Sequence, residues 1–211
     1  MFTGLIQQVG RVASISTLSG GGVVMIEHAP WDQPLTPGES VAVNGACLTV
    51  EPQSGSMFRA DLLDETVIRT AFASARAGDA VNLERAMAAG DRIGGHFVTG
   101  HIDGVGRVES VRPAGRDRIL RVACARDLVA DMVSKGSVAV QGVSLTIVAV
   151  DEGGFEAHLI QATRSNTNVG AIGAGDLVNI ETDILAKYVR RCVGGSGSPL
   201  TGERLREAGF V

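Results

Sequence analysis

Two positions that could carry chemistry stand at the same place in two copies of one short pattern. The pattern reads SVAVNGACLTV at 40–50 and SVAVQGVSLTI at 137–147, so Cys47 in the first copy matches Ser144 in the second. A thiol and a hydroxyl can each add to an electron-poor carbon or take part in proton transfer. Thr49 and Thr146 follow two residues later and therefore lie on the same strand face. The sequence predicts two related pockets whose reactive groups differ.

Two further differences between the copies give the second copy titratable groups. Leu5 is matched by His101, whose imidazole can exchange a proton near neutral pH, and Ala86 is matched by Asp183. A structural interpretation also exists, because a small polar side chain after a tight turn often satisfies backbone groups. A single histidine such as His101 is likewise often structural. The residues alone leave both interpretations open.

The chain repeats itself at a spacing of about 97 residues. FTGLIQQVGRV at 2–12 returns as VTGHIDGVGRV at 98–108, and AGDAVNLE at 77–84 returns as AGDLVNIE at 174–181. Self-similarity in a fixed order indicates two copies of one domain. We expect an N-terminal domain over 1–97, a C-terminal domain over 98–183, a C-terminal oligomerisation helix over 184–193 and a flexible tail over 194–211.

Short alternating apolar segments separated by glycine-rich turns predict an all-β fold. We expect each copy to form a six-stranded antiparallel closed barrel, since closure removes the exposed edges of short strands. The expected strands are 4–15, 22–27, 40–44, 46–51, 57–62 and 80–86, then 100–111, 118–123, 137–141, 143–150, 155–160 and 177–183. Short helices are expected at 64–73, after 161, at 126–133 and at 184–189. The last helix could pack between subunits or on its own barrel.

Composition argues against several classes of function. The net charge of -4 and the 4% aromatic content do not suit nucleic-acid binding. No apolar run of about 18 residues predicts a membrane span, and the first residues lack the pattern of a secretion signal. Three cysteines unmatched by the repeat indicate a reducing cytoplasm and no disulfide framework. The sequence contains no pair of residues at the spacing of metal ligands and no nucleotide-binding fingerprint, so we expect neither a metal site nor a cofactor.

Five segments together resemble the riboflavin synthase family: MFTG at the start, VNGACLTV, DRIGGHFVTGHIDGVGRV, GVSLTI and DILAKYV. The resemblance covers 1–193. It implies two six-stranded barrels and a C-terminal helix per chain, assembled as a homotrimer. It also implies a cofactor-free dismutation of two 6,7-dimethyl-8-ribityllumazine molecules. One lumazine transfers a four-carbon unit to the other, which gives riboflavin and 5-amino-6-ribitylaminouracil.

The resemblance further implies a site between the N-terminal barrel of one subunit and the C-terminal barrel of its neighbour. No cofactor is needed because the 7-methyl group of the lumazine can lose a proton whose charge spreads into the ring. The protein then mainly orients two rings and moves protons, and orientation alone can lower a barrier by several kcal/mol.

Carried over by position, the resemblance assigns substrate-binding residues to each barrel. The first pocket would contain Gly4, Leu5, Ile6, Cys47, Leu48, Thr49, Asp61, Leu62, Leu63, Asp64, Glu65 and Thr66. The second would contain Gly100, His101, Ile102, Ser144, Leu145, Thr146, His158, Leu159, Ile160, Gln161, Ala162 and Thr163. Lys135 would reach a neighbouring subunit's ligand, and Asp183 would orient a polar group or the ribityl chain. The catalytic candidates are Cys47, His101 and Ser144.

The second copy departs from the family's usual pattern at three places. These are Gln141, where aspartate is usual, the pair Gln161-Ala162 in the ligand loop, and Thr167-Asn168. The departures keep a second interpretation open, a non-catalytic protein of the same fold that binds a lumazine or a flavin. Retention of the three catalytic candidates favours the enzyme.

Overall fold

The computed structural model describes residues 1–18, 20–194 and 206. Within them the chain forms two closed, six-stranded antiparallel barrels, which confirms the predicted fold class. The first barrel contains β1 (Gln8–Leu18), β2 (Gly21–Glu27), β3 (Ser40–Val43), β4 (Ala46–Ser54), β5 (Met57–Leu63) and β6 (Ala80–Arg85). The second contains β7 (Gly104–Ala114), β8 (Asp117–Ala123), β9 (Ser137–Val140), β10 (Val143–Asp151), β11 (Gly154–Leu159) and β12 (Leu177–Thr182). The strand order around the first wall is β1-β2-β5-β4-β3-β6, and the second wall repeats it.

Side chains fill the interior of each barrel. Along β4, Leu48 and Val50 are 3% and 0% exposed and point inward, whereas Thr49 between them is exposed. Phe58 and Phe155 are fully buried at equivalent places in the two cores. Because the period of a strand is two, the reactive positions of β4 and β10 face outward. The functional groups must therefore work on the outer walls.

Two equivalent tight turns meet where the barrels touch. Asn44-Gly45 and Gln141-Gly142 both have positive φ at each residue, the geometry of a two-residue hairpin turn. The turns lie back to back, since a Cβ added to Gly45 would lie 2.8 Å from the backbone nitrogen of Gly142.

Two buried asparagine side chains lock this contact between the barrels. Asn82 Nδ2 donates to the carbonyl of Gln141, and Asn179 Nδ2 donates to the carbonyl of Asn44, each at 2.9 Å. The two barrels are thus joined around a pseudo-twofold axis by backbone carbonyls and buried amides.

The helices are short except at the end of the chain. They are α1 (Asp64–Arg69), α2 (Arg126–Val129), α3 (Gln161–Asn166) and α4 (Ile184–Gly194), with single 3₁₀ turns at Ala71–Ser74 and Asn168–Gly170. The prediction of a helix through 133 was too long. The N–H groups of Asp131 and Met132 bond to carbonyls three residues back, which tightens the chain out of the α-helix after Val129.

The C-terminal helix α4 lies on its own barrel through its polar side. Lys187 Nζ is 2.6 Å from Asp103 Oδ1, and Arg190 is 2.9 Å from Asp131 Oδ2. Its other side exposes large apolar residues: Leu185, Tyr188, Val189 and Val193. The predicted linker at 194–199 and tail at 200–211 lie outside the described residues, apart from Gly194 and Arg206.

Among the described residues, no helix has both the length and the apolar character that crossing a membrane requires.

Candidate active site

Two extended segments cross between the barrels. The N-terminal segment (residues 1–7) and the linker segment (residues 97–103) pair through Phe2 and Val98, whose N–H groups donate to each other's carbonyls at 2.7 and 3.1 Å. Each segment then reaches the barrel that does not follow it in sequence. Ile6 packs against the core of the second barrel, and Ile102 packs against the core of the first.

The crossing places one glycine of each segment on a reactive position. The backbone N–H of Cys47 donates to the carbonyl of Gly100, and that of Ser144 donates to the carbonyl of Gly4, both at 2.9 Å. Gly4 and Gly100 have φ of 75° and 83°, and a Cβ on either would lie about 2.5 Å from the Cβ of its partner. Only glycine allows this approach.

The predicted grouping of the pocket residues is therefore wrong for both segments. Gly100, His101 and Ile102 belong with Cys47 of the first barrel, while Gly4 and Ile6 belong with the second barrel. Residues 4–7 and 100–103 were predicted as the starts of strands, but β1 begins at Gln8 and β7 at Gly104. The alternation of apolar and polar residues begins before each strand, where the backbone does not yet belong to the barrel wall.

Buried carboxylates hold the two crossing segments in place. Glu84 Oε1 accepts from the backbone N–H and the hydroxyl of Thr3, each at 2.7 Å, and its Oε2 accepts from the N–H of Gly4 at 3.0 Å. Glu181 accepts in the same way from Thr99 and Gly100. Burial raises the pKa of both carboxyls, although these donors act to lower it. The two carboxylates lose solvation when the chain folds, and their role is to hold the two crossing segments in place.

The outer wall of the first barrel carries an open groove beside Cys47. Two adjoining cavities of about 580 and 270 Å³ share Cys47, Leu63 and Thr66 as lining, so they form one continuous groove. That size suits a small heterocyclic ligand. The linker segment supplies one wall with Gly100, His101, Ile102 and Asp103.

Six residues predicted for the first pocket line this groove from the outer wall: Cys47, Thr49, Asp61, Leu63, Glu65 and Thr66. Leu48 also borders the groove, although it is 3% exposed and belongs to the barrel core. Leu62 instead points into the barrel core and is 2% exposed. Asp64 is the exposed first residue of α1 and does not line the groove. Leu5 is half exposed beside Gly94, where a Cβ would lie 2.6 Å from Leu5 Cδ1.

The equivalent position of the second barrel is covered by the chain that connects the barrels. Nδ1 of His96 lies 2.7 Å from Ser144 Oγ, and the ring is 8% exposed. Gly95 packs directly on the serine, since a Cβ there would lie 2.8 Å from Ser144 Cβ. The backbone N–H of His96 donates to the carbonyl of Thr3 at 3.2 Å. Ser144 therefore has a histidine neighbour of its own.

Burial lowers the pKa of His96, while the negative charge of Asp183 acts to raise it. Burial dominates, so the imidazole stays neutral further into the acid range than an exposed histidine.

The remaining residues predicted for the second pocket divide between the core and the outer wall. Leu145 and Leu159 are buried in the core, whereas Thr146, His158, Ile160, Gln161 and Ala162 are exposed and Thr163 is partly exposed. Lys135 is exposed in the turn before β9 with a φ of 66°. Asp183 accepts a hydrogen bond from the N–H of Leu185 at 3.0 Å and so caps the start of α4.

His96 is the functional candidate that the sequence reasoning missed. The comparison of the two copies did not single it out, because its segment has no counterpart before the first barrel in the repeat. His96 and His101 both lie outside the strands, and each serves a different barrel. The available signal was the pair Gly94-Gly95 before His96, because consecutive glycines often mark a close approach of the backbone.

Gln141 is not part of either groove. It is 6% exposed, its turn lies between the barrels, and its side-chain oxygen accepts from the N–H of Asn179 at 3.0 Å. Asn44 does the same for Asn82 at 2.8 Å. Gln141 therefore performs the structural role of its counterpart Asn44.

The described residues contain no group of three or more His, Cys, Asp or Glu side chains that could hold a metal ion.

Comparison with known proteins matches both barrels to one domain. The family model of the lumazine binding domain matches residues 3–86 and again 99–183. The riboflavin synthase of Actinobacillus pleuropneumoniae is 39% identical over the whole of both chains. That of Bacillus subtilis (strain 168) is 35% identical, covering 99% of this chain and 97% of its own.

Two solved structures share the architecture. LumP complexed with 6,7-dimethyl-8-(1'-D-ribityl) lumazine is 27% identical with a TM-score of 0.76, and LumP complexed with riboflavin is 28% identical with a TM-score of 0.78. In both cases the match covers 86% of this chain and 99% of the LumP chain.

Proposed function

Because this chain belongs to the riboflavin synthase family, we propose that it converts two 6,7-dimethyl-8-ribityllumazine molecules to riboflavin and 5-amino-6-ribitylaminouracil. The reaction transfers a four-carbon unit between two identical molecules and uses no cofactor. The observation that carries the proposal is the duplicated outer-wall site, with Cys47 at one copy and Ser144 at the other. Two like sites suit two like molecules, and different reactive groups suit a donor and an acceptor.

The residues divide into groups that orient the ligands and groups that move protons. Thr49 and Thr146 are exposed on the outer walls beside Cys47 and Ser144, and Asp61 and Glu65 offer carboxylates to ribityl hydroxyls in the first groove. His101 and Cys47 are the proton-transfer groups of the first groove, and Ser144 is that of the site on the second barrel. Correct orientation of two reactants can lower the barrier by about 7–11 kcal/mol.

The complete site needs two chains. Within one chain the paired crossing segments lie between Cys47 and Ser144, since Gly100 sits on one and Gly4 on the other. We therefore place the first groove of one subunit against the Ser144 site of its neighbour, with Lys135 reaching across.

A homotrimer built on α4 accounts for the exposed apolar face of this helix. Leu185, Tyr188, Val189 and Val193 are between 59% and 80% exposed. Leu185, Val189 and Val193 border an apolar groove of about 490 Å³ that also includes Ala130 and Val133. An apolar face of this kind is typical of an interaction site. The apolar face of a second copy of the same chain would suit this groove.

The cysteines fit a reducing cytoplasm. Cys47, Cys124 and Cys192 are all free, and Cys192 is exposed on α4. Burial raises the pKa of Cys124 to about 11, so this thiol is protonated and inert at neutral pH.

The direct test is to mix the purified protein with 6,7-dimethyl-8-ribityllumazine and follow flavin absorbance. We expect multiple turnovers without added metal or cofactor, and a 1:1 yield of riboflavin and the ribitylaminouracil. Tight binding of the lumazine without turnover would replace the enzyme with a carrier like LumP. Absence of both binding and turnover would refute the proposal.

A further inference from the structure

The contact between His96 and Ser144 is suited to proton transfer. Nδ1 of the ring lies 2.7 Å from the hydroxyl oxygen, within the range of a short hydrogen bond. The backbone on both sides of the contact is anchored, because the backbone N–H of His96 donates to the carbonyl of Thr3 and that of Ser144 donates to the carbonyl of Gly4. The His96 ring is also buried, so its packing restricts rotation away from the hydroxyl.

The second nitrogen of the ring is a separate observation. Nε2 of His96 is buried and has no hydrogen-bond partner among the described residues. A buried polar atom without a partner costs stability and requires an explanation. A neutral ring that carries its proton on Nε2 leaves Nδ1 free to accept from the serine hydroxyl.

The charges around the ring favour a temporary positive charge. Asp183, between β12 and α4, is the charged side chain of the described residues whose field acts on His96. Ser144 on β10 and Thr3 of the N-terminal segment are neutral, and Glu84 on β6 lies behind Thr3. Burial keeps the resting ring neutral, and Asp183 stabilises it when a proton arrives.

We propose that His96 is a positioning residue that accepts the proton of the Ser144 hydroxyl, so that Ser144 Oγ can take a proton from a carbon acid bound at the second barrel. This inference rests on the proposed function. The C–H bond of the ligand breaks and its electron pair stays in the ring system of the ligand. Oγ gains that proton while its own proton passes to Nδ1, and the net result is an imidazolium beside Asp183. The reverse transfer returns the proton to a later intermediate.

The described part of the first barrel shows a different arrangement. Cys47 occupies the place of Ser144, and no histidine of the described residues is hydrogen-bonded to it as His96 is to Ser144. His101, which shares the groove of Cys47, is exposed instead of buried. The two sites therefore handle protons differently, and the structure assigns the activated hydroxyl to the second barrel.

The test uses the variant His96→Asn, whose amide can keep a hydrogen bond to Ser144 but cannot accept its proton. We expect kcat to fall by about 100-fold, in the range of general base catalysis, with KM nearly unchanged. In the wild type, kcat should fall on the acid side at a pH below 6.5, since burial lowers the pKa of His96 from that value. This acid limb should be absent from the variant.

His28→Asn is the matched control. His28 is also 8% exposed and also has a buried Nε2 without a described partner, but it packs against Trp31 and Phe58 away from both grooves. Its loss should lower the thermal stability and leave the pH profile unchanged.

A double variant separates action through Ser144 from a general structural effect. If His96 acts through the hydroxyl, Ser144→Ala with His96→Asn should be no slower than Ser144→Ala alone. Effects that multiply, or a His96→Asn protein with wild-type kcat and acid limb, would overturn the inference. A wild-type protein that forms no flavin would refute the proposed function instead. NMR titration then still tests the contact, since the pKa of His96 must change in Ser144→Ala.

Discussion

The thiol of Cys47 and the hydroxyl of Ser144 occupy equivalent places, but each has a different histidine. The His101 ring is exposed in the groove of Cys47, so it can meet a ligand directly. The His96 ring is buried against Ser144, so it can act only through that hydroxyl. Burial lowers the pKa of His96. Two sites built on one plan can therefore perform different steps of one reaction.

Replacing His101 by alanine should lower kcat by about 100-fold, because the first groove loses its imidazole. The free energy of unfolding should change by less than about 0.5 kcal/mol, since the side chain is exposed. Flavin absorbance measures the rate, and urea denaturation measures the stability. Wild-type turnover by the folded variant would remove His101 from the mechanism.

At the scale of elements, the last strand of each barrel carries, at its next-to-last residue, a carboxylate that fixes a segment serving the other barrel. Glu84 on β6 holds Thr3 and Gly4, which lie against Ser144. Glu181 on β12 holds Thr99 and Gly100, which lie against Cys47. Because His101 follows Gly100 directly, its position depends on Glu181.

Glu181→Gln should therefore impair both stability and turnover. The amide turns an N–H toward the backbone donors, which should destabilise the fold by about 1–3 kcal/mol. Because His101 would then move from its position in the groove, kcat should fall as well. Thr99→Val is the control, because it removes one hydroxyl and keeps the carboxylate, for a cost of about 0.5–1.5 kcal/mol. Wild-type melting temperature and kcat in Glu181→Gln would show that the carboxylate does not hold the segment.

The sequence predicted the strands well because their period of two is a local property. Cys47 and Ser144 could be identified because they occupy equivalent positions in the two copies, which can be compared without knowing any contacts. The crossing of the segments could not be predicted, since the pattern around Gly4 and Gly100 does not say which barrel accepts their hydrogen bonds. His96 was missed for a related reason. It lies in the one connection that has no counterpart in the repeat, so the comparison of copies could not reveal it.

At the scale of the whole molecule, α4 has two different faces. Lys187 and Arg190 fix it to its own barrel by ion pairs, while its apolar face remains exposed. The interpretation that this helix lies on its own barrel is therefore confirmed. Packing of its apolar face between subunits stays a prediction.

The double variant Leu185→Glu, Val189→Glu should prevent assembly. The two residues lie one turn apart on the exposed face, so charges there should separate the subunits without disturbing either barrel core. We expect a monomer in sedimentation and a loss of turnover of about 100-fold or more, because the proposed site is shared between two chains. Arg191→Glu, on exposed polar surface, is the control. A fully active monomer would refute the shared site.

The exchange of the two extended segments ties each barrel to the reactive position of the other. The arrangement has the geometry of a domain swap within one chain, since each barrel contributes a segment to its partner. Residues 86–96 connect the two exchanging halves, and this connection carries the imidazole that contacts Ser144. The two sites therefore differ through the connection between the barrels as well as through the residues at equivalent positions.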